Sequence, residues 1–342
     1  SLCEARSTHH EWLEDELLPN RDAISDSSIA DPLNETSFDV ANASRFCVGD
    51  QIQMAAGTEL MLVTAINDST LTVIRGYAGT EKQYIYSGQV INILGNAALE
   101  GDDKPQARFT NRVRKGNYTQ IFTKTVEVSG TDIAAGQLGL ADEMDYQKQQ
   151  RLRELVRDLE NTVINGGLPA SSPQGSTTVR RSMNGIIKNI ATNIMDSTDP
   201  SFPAGGALDE NTLNLMLRRI WENSNGNIDL VVVNGFQKRM INAFAADGRT
   251  FVSGDTKFSN LVSVYESDFG VCRIITSRWI PQDSILLLDS SRIKVLPLSG
   301  RNFHFKPLAS SGDYECGELI GEYTLELKNE AAHGLIRSLA TS

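Results

Sequence analysis

A chain of 342 residues, 40% hydrophobic and 22% charged, is too long for one comfortable core and too apolar for wholesale disorder, so two or three domains are expected. Its formal charge of −11 speaks against a surface built to grip nucleic acid, and apolar runs such as Ile285 to Leu288 fall far short of the ~20 residues a membrane helix needs. Cys3, Cys47, Cys272 and Cys316 have no CxxC spacing and read as reduced thiols, and the first residues lack the apolar centre of a signal peptide.

Residues 1 to about 10 read as a polar arm. HEWLEDELL, residues 10–18, is ambiguous. Its composition favours a helix with Trp12, Leu13 and Leu17 on one face; otherwise Glu11, Glu14, Asp15 and Glu16 line an exposed strand. A turn-rich linker follows. From Phe38 to Leu94 short β-prone runs are punctuated by Gly49-Asp50, Asn67-Asp68, Gly76, Gly79 and Gly88. Five strands in some sixty residues predict a small closed barrel or sandwich, an independent module inserted in the chain. Residues 95–116 form a second linker that turns basic. Its Arg108, Arg112, Arg114 and Lys115 could face the acidic segment 11–16 on this or a neighbouring chain; the plainer alternative is a solvated loop.

NYTQIFTKTVEVS, residues 117–129, reads as a strand, and GTDIAAGQLGL as a hinge. The longest helical pattern runs from about Ala141 to Asn165 and is stopped by Gly166, Gly167 and Pro169. Leu152, Leu155, Val156, Leu159 and Val163 make its apolar stripe, and Asp142 and Glu143 suit its amino-terminal dipole. About 25 residues of helix span roughly 37 Å, enough for a spine. MNGIIKNIATNIM stays undecided between helical and mixed spacing, and Asp196 to Gly206 is a boundary linker. Asp209 offers an N-cap for a helix whose inner side is Leu213, Leu217, Ile220 and Trp221. IDLVVVN, GFQKRMINAFAAD, VSVYESD, VCRIITSRWI, SILLLD and RIKVLPL then imply an α+β or α/β layer. EYTLELK alternates, with Tyr323, Leu325 and Leu327 on a packed face and Glu322, Thr324, Glu326 and Lys328 on a wet one.

Residues for chemistry are scarce. His9, His10, His304 and His333 are the only histidines, and His9-His10-Glu11 is their only cluster, without HExxH spacing. There is no GxSxG, GxxxxGK[ST] or strand-linked GxGxxG. Gly76 and Gly79 read as a tight turn, Cys272 and Cys316 as core residues, and Glu266/Asp268 as an ordinary carboxylate pair. No catalytic, cofactor-binding or metal residue is predicted, and the chain reads as no enzyme. An arm, a protruding hairpin, an inserted barrel and a spine helix instead suit a protein covered by copies of itself.

TQIFTKTVEVSGT, DEMDYQKQQRLRELVRDLENTVING, MNGIIKNI, LNLMLRRIWENSN, VYESDFG and GEYTLELKNEAAHG follow one another over about residues 105–342. In that order they resemble the major capsid proteins of tailed bacteriophages with the Hong Kong 97 fold, in the subgroup resembling the phage SU-ten capsid protein. The resemblance implies an α+β capsid fold. Residues 1–37 would be the N-terminal arm and first E-loop segment, 38–98 an inserted small β-barrel and 99–140 the second E-loop strand and hinge. The P-domain with its spine helix would occupy 141–205, the A-domain 206–320, and the P-domain return strand and C-terminus 321–342. It also implies that residues 11–18 form a strand, opposite Tyr118 to Val128 in the E-loop hairpin, against the compositional lean. VGDQIQM and LTVIRGYAGT resemble small barrels of other phage structural proteins.

The function so implied is a major capsid protein located in the virion and assembled in the host cytoplasm. Copies would form hexamers and pentamers of an icosahedral shell around double-stranded DNA, held without sequence-specific binding. Scaffolding, portal and decoration proteins are the further partners; no membrane, metal or cofactor is involved. Expected assembly contacts are Glu11, Trp12, Glu14, Arg112, Arg114, Lys115, Tyr118, Phe122 and Lys124. The family's long amino-terminal scaffolding segment is expected to be removed, separately encoded or lacking altogether, and no particular residues point to an inter-subunit cross-link. The rivals are a tail or baseplate binding protein carrying a small barrel, and a hydrolase using the His9/His10 region or the α/β half.

Overall fold

The computed structural model describes residues 4–15, 19–101, 112–135, 143–224, 226–247 and 264–341. It divides into two compact units, one of residues 1–14 and 113–342 and the other of residues 15–112. The fold is mixed α+β.

The chain opens with β1 (His9–Glu14) and then enters the 15–112 unit. There β2 (Arg21–Ala23), β3 (Ser37–Asp39), β4 (Asp50–Met54), β5 (Leu60–Asn67), β6 (Thr70–Tyr77) and β7 (Val90–Asn96) form one antiparallel sheet. The order is β2-β7-β4-β5-β6-β3, and the residues after the two outermost strands meet in an antiparallel bridge between Ile24 and Val40. Period-2 alternation points Phe38, Ile52, Met61, Leu71 and Ile91 into a dry interior, joined by Ile85. Arg75 and Glu59 form a buried ion pair. Arg75 donates from Nε and Nη2 to the two carboxylate oxygens of Glu59, each at 2.8 Å, and Glu59 also accepts from the Gly76 and Gln83 amides.

The chain returns in β8 (Val113–Tyr118), which pairs antiparallel with β1, and among the described residues the two make a two-stranded ribbon. Thr119 interrupts the chain, and β9 (Gln120–Ser129) begins another sheet. After α1 (Gly130–Ala135) comes the long helix α2 (Glu143–Asn165), then α3 (Ile186–Asn189), β10 (Ile194–Met195), α4 (Glu210–Asn223), β11 (Leu230–Val233) and α5 (Gly235–Asp247). Then come β12 (Val264–Ser267), β13 (Gly270–Thr276), β14 (Ile285–Leu288), β15 (Ile293–Pro297) and β16 (His304–Leu308). They are followed by β17 (Tyr314–Leu327) and β18 (Gly334–Ile336).

Two layers result. The 14-residue β17 pairs with β9 along one edge and with β15 and β16 along the other. Against this sheet α2 buries Met144, Leu155 and Ile164 in a cluster with Phe122, Val126, Leu319 and Leu325. The second layer is the mixed sheet β10-β18-β14-β11-β13-β12, whose core joins Leu213, Met216, Leu217 and Ile220 of α4 to Val231, Cys272 and Ile285. Asp209 caps α4 as expected, accepting from the Thr212 amide at 2.8 Å.

Several expectations are corrected. HEWLEDELL does not begin a helix: residues 9–14 are strand, because ladder bonds to β8 override local preference. That ladder also replaces the expected partner, since Val113–Tyr118 and not Tyr118–Val128 forms the other side of the ribbon. On α2, Leu155 is buried but Leu152 and Val156 are exposed, so the buried side lies to one flank of the predicted stripe. Trp221 is 60% exposed rather than on the inner side of α4. The wet face assigned to EYTLELK is dry: Glu322, Thr324 and Glu326 are buried. Residues 141 and 142, Leu17 and Arg108 lie outside the described residues.

Candidate assembly ribbon

Register divides the ribbon into two faces, because residues directly opposite on antiparallel strands share a face. His10/Asn117, Trp12/Lys115 and Glu14/Val113 lie on one, and His9/Tyr118, Glu11/Gly116 and Leu13/Arg114 on the other.

The first face is turned to the protein's own body at its root. His10 is buried, with Nε2 2.7 Å from Oε2 of Glu326. Asn117 donates from Nδ2 to the carbonyls of Asn184 and Leu325, each at 2.9 Å. Nε1 of Trp12 donates to Glu14 Oε1 at 2.9 Å, and that oxygen accepts the Asn329 amide at 3.0 Å. Burial pushes the Glu326 carboxyl upward, but the His10 bond and the Lys328 charge outweigh it and hold the group below its ordinary value.

The second face carries Glu11, Leu13 and Arg114, all exposed, while exposed Val113 and Lys115 lie on the outer part of the first. The rings of His9 and Tyr118 stack at 4.5 Å with 21° between their planes. Gly116 opposite Glu11 leaves room for this stack, since a Cβ there would lie 2.6 Å from Nε2 of His9 and 3.0 Å from the His10 carbonyl. Farther out, Leu13 is 55% exposed, and Arg114 approaches Glu11 at 3.8 Å with most of its guanidinium in solvent. Such a pair contributes on the order of 0–1 kcal/mol to folding. Its value is as a marked, two-signed surface flanking an apolar residue.

The expected contact residues therefore separate. Glu11, Arg114 and Tyr118 sit on the uncovered face. Trp12, Glu14 and Lys115 sit on the opposite one, with Lys115 exposed. Arg112, in the 15–112 unit, pairs loosely with Asp15 at 3.8 Å. Phe122 requires a correction: it lies on β9, is 6% exposed, and packs in the core under α2, so its side chain is unavailable to a neighbour. Lys124 is tied to α2 through Asp158 at 3.1 Å. Sequence reasoning missed Leu13 and His9 as outward residues. Alternation from Glu11, applied to the strand that the family resemblance implied, would have found both.

The His9-His10-Glu11 cluster is split by the same alternation. Among the described residues no group of three or more His, Cys, Asp and Glu side chains is placed to hold a metal ion, and no helix is long and apolar enough to cross a membrane. Cys272 is buried and its thiol is pushed up to about 11 by desolvation, the opposite of what a nucleophile needs.

Compared with known families, residues 2–340 match the SU10 major capsid protein. The chain belongs to that family. A curated major capsid protein, from Escherichia phage Phieco32, is 34% identical over 79 residues, which is 23% of this chain. The match spans about a fifth (21%) of that relative's length. Among solved structures, the holo-SrpI encapsulin complex from Synechococcus elongatus PCC 7942 has a TM-score of 0.49 at 12% identity, covering 68% of this chain and 79% of that one. A structure from Gordonia phage Cozz has a TM-score of 0.49 at 14% identity, covering 72% of this chain and 79% of that one. Membership of a capsid family does not favour the tail or baseplate alternative.

Proposed function

We propose that copies of this phage major capsid protein join into hexamers and pentamers that close an icosahedral shell around double-stranded DNA, each ribbon lying with its uncovered face on a neighbouring copy. The observation that carries this reading is the ribbon itself. Two strands alone are marginal in water, and one face of this pair leaves Leu13 exposed and the His9–Tyr118 stack half-buried. A second copy would supply the missing cover. Such a contact is expected to bury on the order of 800 Å² per partner. Closed symmetry requires heterologous contacts that return on themselves, and several modest ones per subunit reinforce one another. The test is Leu13→Asp in the full chain, examined by sedimentation and electron microscopy with any natural scaffold present. Shells of normal yield would refute the ribbon contact.

On this reading the layers correspond to those of the Hong Kong 97 fold, with α2 as spine helix, β17 as P-domain return strand and the sheet from β10 to β12 in the A-domain. The assembled virion is the protein's location, and the host cytoplasm its place of assembly. Scaffolding, portal and decoration proteins are the further partners, and the DNA is enclosed without sequence-specific contacts.

The 15–112 unit is read as a closed small barrel, supported by the Ile24–Val40 bridge between its outermost segments. Residues 15–112 contain fourteen Asp and Glu against seven Lys and Arg, a net charge of −7 within the chain's −11. That balance favours a position away from packaged DNA, where the unit would either clamp a neighbouring subunit or present a site for decoration. Deletion of 38–94 separates these roles. Fragile shells mark a clamp, and sturdy shells that lose an accessory protein mark a decoration site.

A further inference from the structure

EYTLELK looks like a strand with one dry and one wet face, yet Glu322, Thr324 and Glu326 are 3%, 0% and 7% exposed. Two buried carboxylates on one stripe are costly unless each is charge-paired and hydrogen-bonded. Both are. Glu322 accepts from the Thr119 hydroxyl and from Nη2 of Arg181, each at 2.6 Å, and lies 2.8 Å from Arg301. Glu326 is held by His10 at 2.7 Å and by Lys328 at 3.3 Å. Between them, Thr324 donates to the Tyr118 carbonyl at 3.1 Å.

We propose that this polar stripe positions the ribbon for assembly, fixing its direction before a second copy arrives. The stripe reads the ribbon root residue by residue: Glu326 takes His10 of β1, the Leu325 carbonyl takes Asn117, Thr324 takes Tyr118, and Glu322 takes Thr119. Arg181 closes the set, donating from Nε to the Thr119 carbonyl at 2.8 Å while its Nη2 binds Glu322. Apolar packing tolerates a small rotation at such a joint. Short, charge-assisted hydrogen bonds along one stripe do not. A ribbon fixed in this way loses less freedom on docking, so the stripe lowers the cost of association without touching the partner. The inference rests on the reading of the ribbon as an assembly surface.

Thr119→Val and Glu322→Gln in the full chain test it, with Thr119→Ser, which keeps the hydroxyl, as the rescuing control. Hydrogen exchange is followed on the unassembled protein, and the lowest concentration that yields shells is measured. Both disrupting variants are expected to speed exchange at 9–14 and 113–118 while the rest of the chain stays protected. They should raise the assembly threshold about tenfold or more, the cost of ordering one or two further groups on docking. Thr119→Ser should match the parent in both. Unchanged exchange in the ribbon would overturn the proposal, and so would faster exchange with an unchanged threshold. Should Glu322→Gln loosen the whole chain, Thr119→Val, which leaves no charge unpaired, carries the decision. Leu13→Asp keeps the two ideas apart: it should leave root exchange untouched, and its effect on shell yield judges the ribbon contact alone.

Discussion

His333 is fully buried next to the β14–β15 connection, where its Nδ1 accepts the Asp289 amide at 3.2 Å. Burial pushes its pKa down from 6.5 to about 4, and the attraction of Asp289 offsets only part of this. The folded state therefore keeps the ring neutral where the unfolded chain would protonate it. Stability from this residue is fully present above pH 6.5 and is lost as the pH falls towards 4, by about 3 kcal/mol. Melting of the unassembled chain across that range should fall steeply, and His333→Asn, which keeps an acceptor, should flatten the fall. Arg75 acts through pairing. Arg75→Met strands the buried Glu59 carboxylate and should cost about 3–5 kcal/mol, seen as a lower denaturant midpoint. Neither environment was legible in the sequence. A lone histidine and an Arg on a β-prone run do not announce burial, because partners come from segments far away in the chain. The Asp209 cap was legible, since its partner lies three residues on.

Among the elements, β17 sets the terms for its neighbours. Gly321 makes room for the Phe303 ring, whose Cδ1 would lie 2.5 Å from an added Cβ, and Gly317 does the same for Phe305. Gly321→Ala should therefore overpack the sheet and cost about 1–3 kcal/mol. Adding Phe303→Leu should recover part of the lost melting temperature, whereas a purely backbone effect would not respond to the second change. Long elements were readable from period alone: α2, α4 and the strand around Val231 stand where periodicity put them. The ribbon was not. Six residues with a tryptophan and two acids carry too little signal, and the pairing that makes β1 a strand comes from residues about a hundred positions later. The break at Thr119 hid for a similar reason. NYTQIFTKTVEVS has uniform β propensity, and only the change of partner from β1 to β17 divides it. The polar half of EYTLELK was taken as wet because alternation reports two faces without saying what covers either.

At the scale of the whole chain, the 15–112 unit is wider than the 38–98 module read from turn-punctuated strands, since it also takes in β2 and the flanking linkers. Within the 15–112 unit the dry cluster of Phe38, Ile52, Met61 and Leu71 is self-contained, so the unit has the core needed to melt as its own transition. Calorimetry of the unassembled chain should resolve two transitions, with Arg75→Met lowering one and leaving the other in place. The outline of the assembly protein was legible from ordered motifs, whereas its contact residues depended on strand register.

Glu14 and Val113 are opposite partners at the last rung of the ribbon, so their Cα atoms lie roughly 5 Å apart. The polypeptide thus departs and comes back through a single doorway. An Asn-Gly turn could seal that doorway, and any foreign module whose two ends lie side by side could be grafted through it. The same geometry gives evolution a socket for exchanging one module while the rest of the chain is left alone.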